Sequence, residues 1–98
     1  MATFLFKLYV TGRTLRTEYA IANLQALCEE HLPEQYKLVI IDVLEKPHLA
    51  EMDKVLATPT LIREAPAPRR RIIGDLSDGK KVLSALGLNL NSSDGEEA

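Results

Sequence analysis

The first half of the chain alternates two apolar strands with one long amphipathic helix, and this pattern constrains the fold more than any other feature. Residues 3–10 (TFLFKLYV) carry apolar side chains on both faces of the predicted strand, which is typical of an interior strand in a covered sheet. Residues 16–31 have apolar side chains at helical spacing, and residues 37–43 (KLVIIDV) form a second apolar run. This order predicts a right-handed βαβ unit with parallel strands, whose helix is capped by Thr14 or Thr17.

The second half predicts shorter elements. Proline at the first turn favours a helix over residues 47–57, with one apolar face formed by Leu49, Met52, Val55 and Leu56. Thr58-Pro59-Thr60 ends that helix, and a short strand is expected to begin at Leu61. The prolines in residues 65–68 (APAP) indicate a turn or a sheet edge.

The rest of the second half predicts an edge strand and a last helix. Residues 69–73 have the composition of an edge strand, and Ser77 is expected to cap the helix that follows. Gly87 can end that helix, and its inward face would be formed by Val82, Leu83 and Leu86. The complete order is β-α-β-α-β-β-α, which is the thioredoxin plan with Pro59 leading into the third strand.

Length and composition exclude several classes of protein. The 98 residues predict a single α/β domain over residues 1–88 and an acidic, disordered tail over residues 89–98. A net charge of −2 gives no general attraction to nucleic acid, and no apolar run is long enough to span a membrane. The N-terminus reads as a first strand rather than a signal peptide. The single cysteine excludes an internal disulfide, so we expect a cytoplasmic protein.

The residues that thioredoxin chemistry needs are missing. A catalytic thiolate would lie at the start of the first helix, where residues 11–16 read TGRTLR. Cys28 lies about three turns further along, on the apolar face, and is expected to be a buried structural thiol. His31 and His48 do not have metal-ligand spacing, and the acidic residues of positions 42–53 are typical of a solvated face. We therefore expect no catalytic residue, no cofactor and no metal, and a protein that acts by binding.

One charge run leaves two interpretations open. Arg69, Arg70 and Arg71 follow each other in the predicted edge strand, where basic residues discourage pairing between sheets. Strand alternation places Arg69 and Arg71 on one face and Arg70 on the other. The same row is also suited to an acidic protein surface. Nucleic acid is a poorer candidate because no aromatic side chains accompany the arginines.

Three stretches carry a resemblance to a known family. They are KLYVxG at residues 7–12, IDVLxKPxLAExDKVLATPTL at residues 41–61 and PxRRIIGDLSD at residues 68–78, with x for an unmatched position. The chain resembles the KaiB family of the cyanobacterial circadian clock and its bacterial relatives over residues 3–88. A thioredoxin would share only the general plan, so the long middle stretch makes the resemblance specific.

The resemblance implies a non-enzymatic regulator in circadian or clock-like timing, or in stress adaptation. Such a protein docks on the N-terminal ATPase ring of a KaiC-type kinase and modulates its phosphorylation cycle, with a KaiA-like activator or an output histidine kinase as further partners. The partner-binding residues expected on this basis are Lys46, Leu49, Asp53, Lys54, Arg70 and Arg71.

The resemblance also implies a metamorphic fold. The N-terminal βαβ unit is common to both states, and the second half is either β-α-α-β in a ground-state tetramer or α-β-β-α in a thioredoxin-like monomer. Two packings of one sequence must then differ by only a few kcal/mol. The residues expected to influence the switch are Pro59, Pro66, Pro68, Ala85 and Gly87.

Two other functions remain open at the level of the sequence. The chain is suited to a redox-inactive, thioredoxin-like adaptor or client-binding protein unrelated to a clock. It is also similar in plan to the sensor-like N-terminal domain of an output kinase, although the acidic segment after Leu88 with no kinase following it argues against that function.

Overall fold

The computed structural model describes residues 3–74 and 76–87 and contains seven secondary-structure elements in the predicted order. The expected acidic tail, at residues 89–98, and the predicted domain end at Leu88 lie outside the described residues. The elements are β1 (Phe4–Val10), α1 (Leu15–His31), β2 (Tyr36–Asp42), α2 (Pro47–Met52), β3 (Thr60–Ala65), β4 (Arg70–Ile73) and α3 (Gly79–Ala85).

The predicted βαβ unit is confirmed. Strand β1 pairs in parallel with β2 along its whole length, from Phe4 opposite Tyr36 to Val10 opposite Asp42. The Thr14 side chain accepts a hydrogen bond from the backbone N–H of Thr17, so Thr14 is the N-cap of α1. This cap satisfies one of the backbone donors that the first helical turn leaves unpaired.

The second half completes a four-stranded sheet in the order β2-β1-β3-β4. Strand β3 is antiparallel to β1, and β4 is antiparallel to β3 and lies at the edge. The second half therefore has the order α-β-β-α, the thioredoxin-like arrangement of the two that the sequence predicted. Pro59 directly precedes β3, Pro66 and Pro68 form the turn between β3 and β4, and all three follow cis peptide bonds.

The two faces of the sheet carry different cores. One face packs the alternate β1 side chains Phe6, Leu8 and Val10 against α1 and α3, which contribute Leu24 and Val82. The other face forms a smaller cluster from Tyr9, Ile41, Ala50 and Ile62, where Ala50 is the buried residue of α2. Because β1 is buried on both faces, it is the interior strand that its apolar pattern predicted.

The prediction that a helix covers residues 47–57 was wrong. Helix α2 ends at Met52, and Lys54 adopts a left-handed conformation with φ 55° that turns the chain away from the helix axis. The N–H of Val55 then donates to the Ala50 carbonyl at 2.9 Å. Met52 and Leu56, which we expected on the buried face, are exposed, and Leu56 is 94% exposed.

Two smaller expectations also change at the ends of elements. Asp78, not Ser77, is the N-cap of α3, because its carboxylate accepts hydrogen bonds from the N–H groups of Lys80 and Lys81. Strand β3 runs on to Ala65, so Arg63 and Glu64 are strand residues. Gly87 has φ 79° and follows the end of α3, as predicted.

Among the helices of the described ranges, none is long and apolar enough to cross a membrane.

Candidate partner-binding site

Helix α2 carries three of the predicted partner-binding residues at its two ends and in its middle. Lys46 precedes the first turn as N-cap residue, and its side chain is exposed. Leu49 is half-buried and packs against the smaller core. The hydroxyl of Tyr9 donates a hydrogen bond to the Leu49 carbonyl at 3.2 Å, so a buried tyrosine of β1 fixes the middle of the helix.

Asp53 ends α2, and its carboxylate connects the helix to the sheet. It accepts hydrogen bonds from Lys7 Nζ at 2.8 Å, from Arg69 Nη2 at 2.7 Å and from the hydroxyl of Tyr9. The Asp53 side chain is only 13% exposed. Asp53 was predicted to contact a partner, and in this fold its carboxylate is engaged by contacts inside the chain.

Glu64 extends these contacts into a network across the sheet. Its carboxylate lies 3.1 Å from Lys7 Nζ and accepts a hydrogen bond from Arg69 Nε at 2.8 Å. Lys7 and Arg69 therefore each bridge the two carboxylates of Asp53 and Glu64. We call these four residues together with Tyr9 the Asp53 network.

The electrostatics of the network favour the charged form of both acids. Burial raises the pKa of Asp53, but the hydrogen bonds from Lys7 and Tyr9 and the positive charges outweigh it and hold that pKa below its ordinary value. The hydrogen bond from Arg69 holds the pKa of Glu64 below its ordinary value as well. Burial and the bond to Asp53 raise the pKa of the Tyr9 hydroxyl. At neutral pH the network is therefore two carboxylates, two cations and one neutral phenol.

Arg71 holds the segment that follows α2. Its guanidinium donates to the backbone carbonyl of Asp53 at 2.6 Å and to that of Lys54 at 3.2 Å. Both acceptors are main-chain oxygens that the end of a short helix leaves unpaired. The Lys54 side chain itself is exposed, so its ammonium is presented to solvent on a backbone that Arg71 fixes.

Exposed apolar side chains surround these charges. Leu44 precedes α2, Met52 is its last residue and Leu56 follows it, and all three are largely exposed. We call Leu44, Lys46, Met52, Lys54 and Leu56 the α2 surface. Large exposed apolar residues along one segment, beside charges held by the fold, are features of protein–protein contacts.

The structure brings four of the six predicted partner-binding residues together, while Lys46 lies at the other end of α2 and Arg70 lies elsewhere. Leu49, Asp53, Lys54 and Arg71 meet at the end of α2 through the contacts above. Arg70 projects to the opposite face, near Gly87 at the end of α3. Strand alternation in the sequence had already predicted that separation.

Sequence reasoning missed four members of the Asp53 network: Lys7, Tyr9, Glu64 and Arg69 as a set. One signal was present, because Lys7 is a charged residue inside an otherwise apolar strand. Such a residue requires a buried partner of opposite charge. The sequence does not indicate which of its many acids supplies that partner.

The position of a thioredoxin-type thiolate holds threonines instead. Thr11 and Thr58 are joined by a hydrogen bond of 2.6 Å between their hydroxyls, beside Pro59. Cys28 is buried in the core, and burial raises the pKa of its thiol to about 11. A thiol with that pKa is almost wholly protonated at neutral pH and is a poor nucleophile.

The comparisons with known proteins agree with the geometry of a binding protein. Residues 7–88 match the family described as the KaiB domain. The chain belongs to the KaiB family. It is 49% identical over 90 residues to the circadian clock protein KaiB3 of Synechocystis sp., which covers 92% of this chain and 86% of that protein. It is 51% identical over 86 residues to the circadian clock oscillator protein KaiB of Microcystis aeruginosa, covering 88% and 83%.

Solved structures show the fold of this KaiB-family chain independently. The N-terminal domain of Synechococcus elongatus SasA has a TM-score of 0.77 at 22% identity, covering 99% of this chain and 91% of that domain. Mitochondrial thioredoxin 3 of Saccharomyces cerevisiae has a TM-score of 0.69 at 18% identity, covering 89% and 79%. The predictions of the KaiB family and of a thioredoxin-like α/β fold are both confirmed, and the family places the chain among circadian clock regulatory proteins.

Proposed function

We propose that this chain is a non-enzymatic, cytoplasmic regulator that docks on a KaiC-type ATPase through the α2 surface and modulates its phosphorylation cycle. The observation that carries the proposal is the exposure of Leu44, Met52 and Leu56 around a helix whose backbone is fixed by Arg71 and the Asp53 network. Membership of the KaiB family supports the partner class. The α2 segment also lies in the longest stretch that resembles the family.

The apolar and the charged residues of the α2 surface have different roles in binding. The side chain of Leu56 is almost fully exposed. Burying a leucine side chain against a partner contributes about 1.5–3 kcal/mol to the binding free energy. Lys46 and Lys54 add positive charge, which orients the encounter and raises the association rate more than it adds affinity. The Asp53 network does not touch the partner, but holds these side chains in place.

The experiment is binding of the purified KaiC-type ATPase of the same organism to variants of this chain. Leu56→Ser should weaken the affinity at least tenfold, which corresponds to about 1.4 kcal/mol. Lys54→Glu should chiefly slow association, and this effect should shrink at high salt. Leu15→Ser is the matched control, because Leu15 is a similarly exposed leucine, 75% exposed, at the start of α1. Equal affinities for the Leu15 and Leu56 variants, with unchanged circular dichroism, would reject the α2 surface as the docking site.

The proposal includes the metamorphic behaviour that the family resemblance implies. In this proposal the state with the thioredoxin-like second half is the one that docks. It is in equilibrium with a homo-oligomer whose second half has the β-α-α-β order. Both second-half helices are short, which favours a half that can refold without disturbing the βαβ unit. A KaiA-like activator or an output histidine kinase would bind the docked state.

A second candidate function rests on a separate groove. A groove of about 570 Å³ beside Pro59 is lined by Arg16, Tyr19, Asn23 and Leu76, among others, and Tyr19 is largely exposed. A redox-inactive, thioredoxin-like adaptor would bind an extended client segment there. If the unaltered chain did not bind the KaiC-type ATPase at all, the adaptor function would be favoured. If Tyr19→Ala abolished binding to that ATPase and Leu56→Ser left it unchanged, the groove would replace the α2 surface as the docking site and the adaptor function would be rejected.

A further inference from the structure

Among the described residues, a buried arginine on the other face of the sheet has no counter-ion. Arg63 lies in β3 and is 5% exposed. Its Nη2 donates to the Pro68 carbonyl at 2.7 Å, and its guanidinium carbon lies 6.0 Å from the centre of the Phe4 ring. Its Nε has no hydrogen-bond partner among the described residues. Burial, and secondarily the charge of Arg70, lower the pKa of Arg63.

Arg70 brings a second positive charge to the same point. A methyl group at Gly87 would lie 3.2 Å from Arg63 Nη1 and 3.1 Å from Arg70 Nε. Both guanidinium groups therefore converge on the end of α3. Within residues 3–74 and 76–87, the ion pairs join other residues and include neither Arg63 nor Arg70.

Two converging cations, one of them buried, require an anion for stability. Leaving a buried charge without a partner costs several kcal/mol, which is why buried charges are almost always paired. The carboxylates of Asp53 and Glu64 serve the opposite face of the sheet. The carbonyl groups at the end of α3 supply only a partial negative charge.

We propose that Arg63 and Arg70 form a carboxylate-binding site, and that its occupant is the chain's own acidic segment after Gly87, through Asp94, Glu96 or Glu97. The segment has the required charge and begins at the residue on which the two arginines converge. Six residues lie between Gly87 and Asp94, and the seven steps from one to the other reach at most about 25 Å, which is ample for a return to Arg70. Carboxylates are also the anions that a guanidinium group binds with the best geometry.

The experiment neutralises the occupant and not the site, so that folding is preserved. In the full chain, Asp94→Asn, Glu96→Gln and Glu97→Gln are combined, and the melting temperature and the NMR signal of the Arg63 Nε–H are measured. The triple change should lower the melting temperature by about 4 °C, shift the Nε–H signal and speed its exchange with water. In an Arg70→Gln background the same triple change should lower the melting temperature by less than half as much.

Two controls make the result decisive. Arg16→Gln removes an equally exposed positive charge from α1, and in that background the triple change should keep its full effect. Inorganic phosphate should shift the Arg63 Nε–H signal in the triple variant and not in the wild type. An equal phosphate shift in both proteins would mean that the site takes free anions, and it would overturn the assignment of the acidic segment. If the triple change left the Arg63 Nε–H signal at its wild-type position, the assignment of the acidic segment would also be overturned.

Discussion

The βαβ half of the chain and the half that follows it bury their elements by different means. In the first half, α1 has 17 residues, a capped N-terminus and a row of side chains in the main core, including Ile21, Leu24 and Cys28. In the second half, α2 has 6 residues and α3 has 7. Isolated helices shorter than about 12–15 residues are marginal in water, so the two short helices depend on contacts with the rest of the molecule.

Polar contacts hold much of α2. Ala50 is its buried residue and Leu49 packs against the smaller core, and the polar attachments are the hydroxyl of Tyr9, the Asp53 network and the guanidinium of Arg71. Apolar burial carries no proton and does not depend on pH, whereas charged hydrogen bonds depend on pH and are screened by salt. The first half is thus held mainly by apolar burial and α2 partly by charged contacts, which is the division that the proposed change of fold after β2 would need.

The largest expected effect is in the main core. Leu24 is 1% exposed, and Leu24→Ala should lower the free energy of unfolding by about 2–5 kcal/mol because it leaves a cavity. Leu49→Ala, at a half-buried leucine of α2, should cost clearly less. Urea denaturation followed by circular dichroism measures both, and equal losses would remove the distinction between the two halves.

The next effect is removal of the carboxylate that ties α2 to the sheet. Asp53→Ala leaves Lys7 and the Tyr9 hydroxyl without their shared acceptor and should cost about 1–3 kcal/mol. Hydrogen exchange should accelerate mainly in α2 and β4, while α1 and β2 keep their protection. Glu51→Ala, on the exposed side of the same helix, should change little. Uniform acceleration over the whole chain would contradict a separately held second half.

Acid should weaken the same network without any substitution. The pKa values of Asp53 and Glu64 lie below their ordinary values of 3.8 and 4.5 in the folded protein. Their contribution to stability is therefore complete above the ordinary values and is lost as the pH falls through the lower, folded-state values. Urea midpoints between pH 7 and pH 2 should fall less in Asp53→Asn than in the wild type. Parallel curves for the two proteins would show that Asp53 is not coupled to the loss.

The fold could largely be predicted from the sequence because its strongest signals are local. The apolar pattern of β1, the helical spacing of α1 and the isolated glycine at position 87 each determine structure within a few residues. The end of α2 could not be predicted in this way. Apolar spacing favoured a helix as far as residue 57, but the helix ends at Met52. Asp53 contacts Lys7, Tyr9 and Arg69, which are 16 to 46 residues away in the chain. Local sequence patterns do not reveal such distant contacts.

The candidate site was predicted only in part for the same reason. The family resemblance identified the segment around α2, but it treated Asp53 and Lys54 as equivalent exposed charges. The fold separates them, since Asp53 points into the network and Lys54 into solvent. The exposed Leu56 was assigned to the core, because a periodic pattern cannot distinguish an apolar residue that faces the sheet from one that faces solvent.

A smaller effect tests whether the second half changes its fold. Ala85 is the last residue of α3 and is exposed, and Ala85→Gly should cost that helix about 0.5–1 kcal/mol. Ala22→Gly makes the same change at an exposed position of α1. Analytical ultracentrifugation should show a larger oligomer fraction for Ala85→Gly alone, because α3 exists in only one of the two proposed states. Identical distributions for the two variants would argue against the metamorphic proposal.

The smallest effect compares one strained residue in each half. Glu34, between α1 and β2, and Lys54, after α2, have φ values of 59° and 55°, a conformation that glycine adopts without strain. Either change to glycine should stabilise the protein by about 0.5 kcal/mol once the larger chain entropy of glycine is subtracted. Thermal unfolding with replicate scans measures this, and Glu34→Gly calibrates the gain for a half that does not rearrange. A gain for Glu34→Gly and none for Lys54→Gly would mean that Lys54 is rarely in its left-handed conformation in solution. The second half would then spend most of its time in another arrangement, and the docking-competent state would be the minor one.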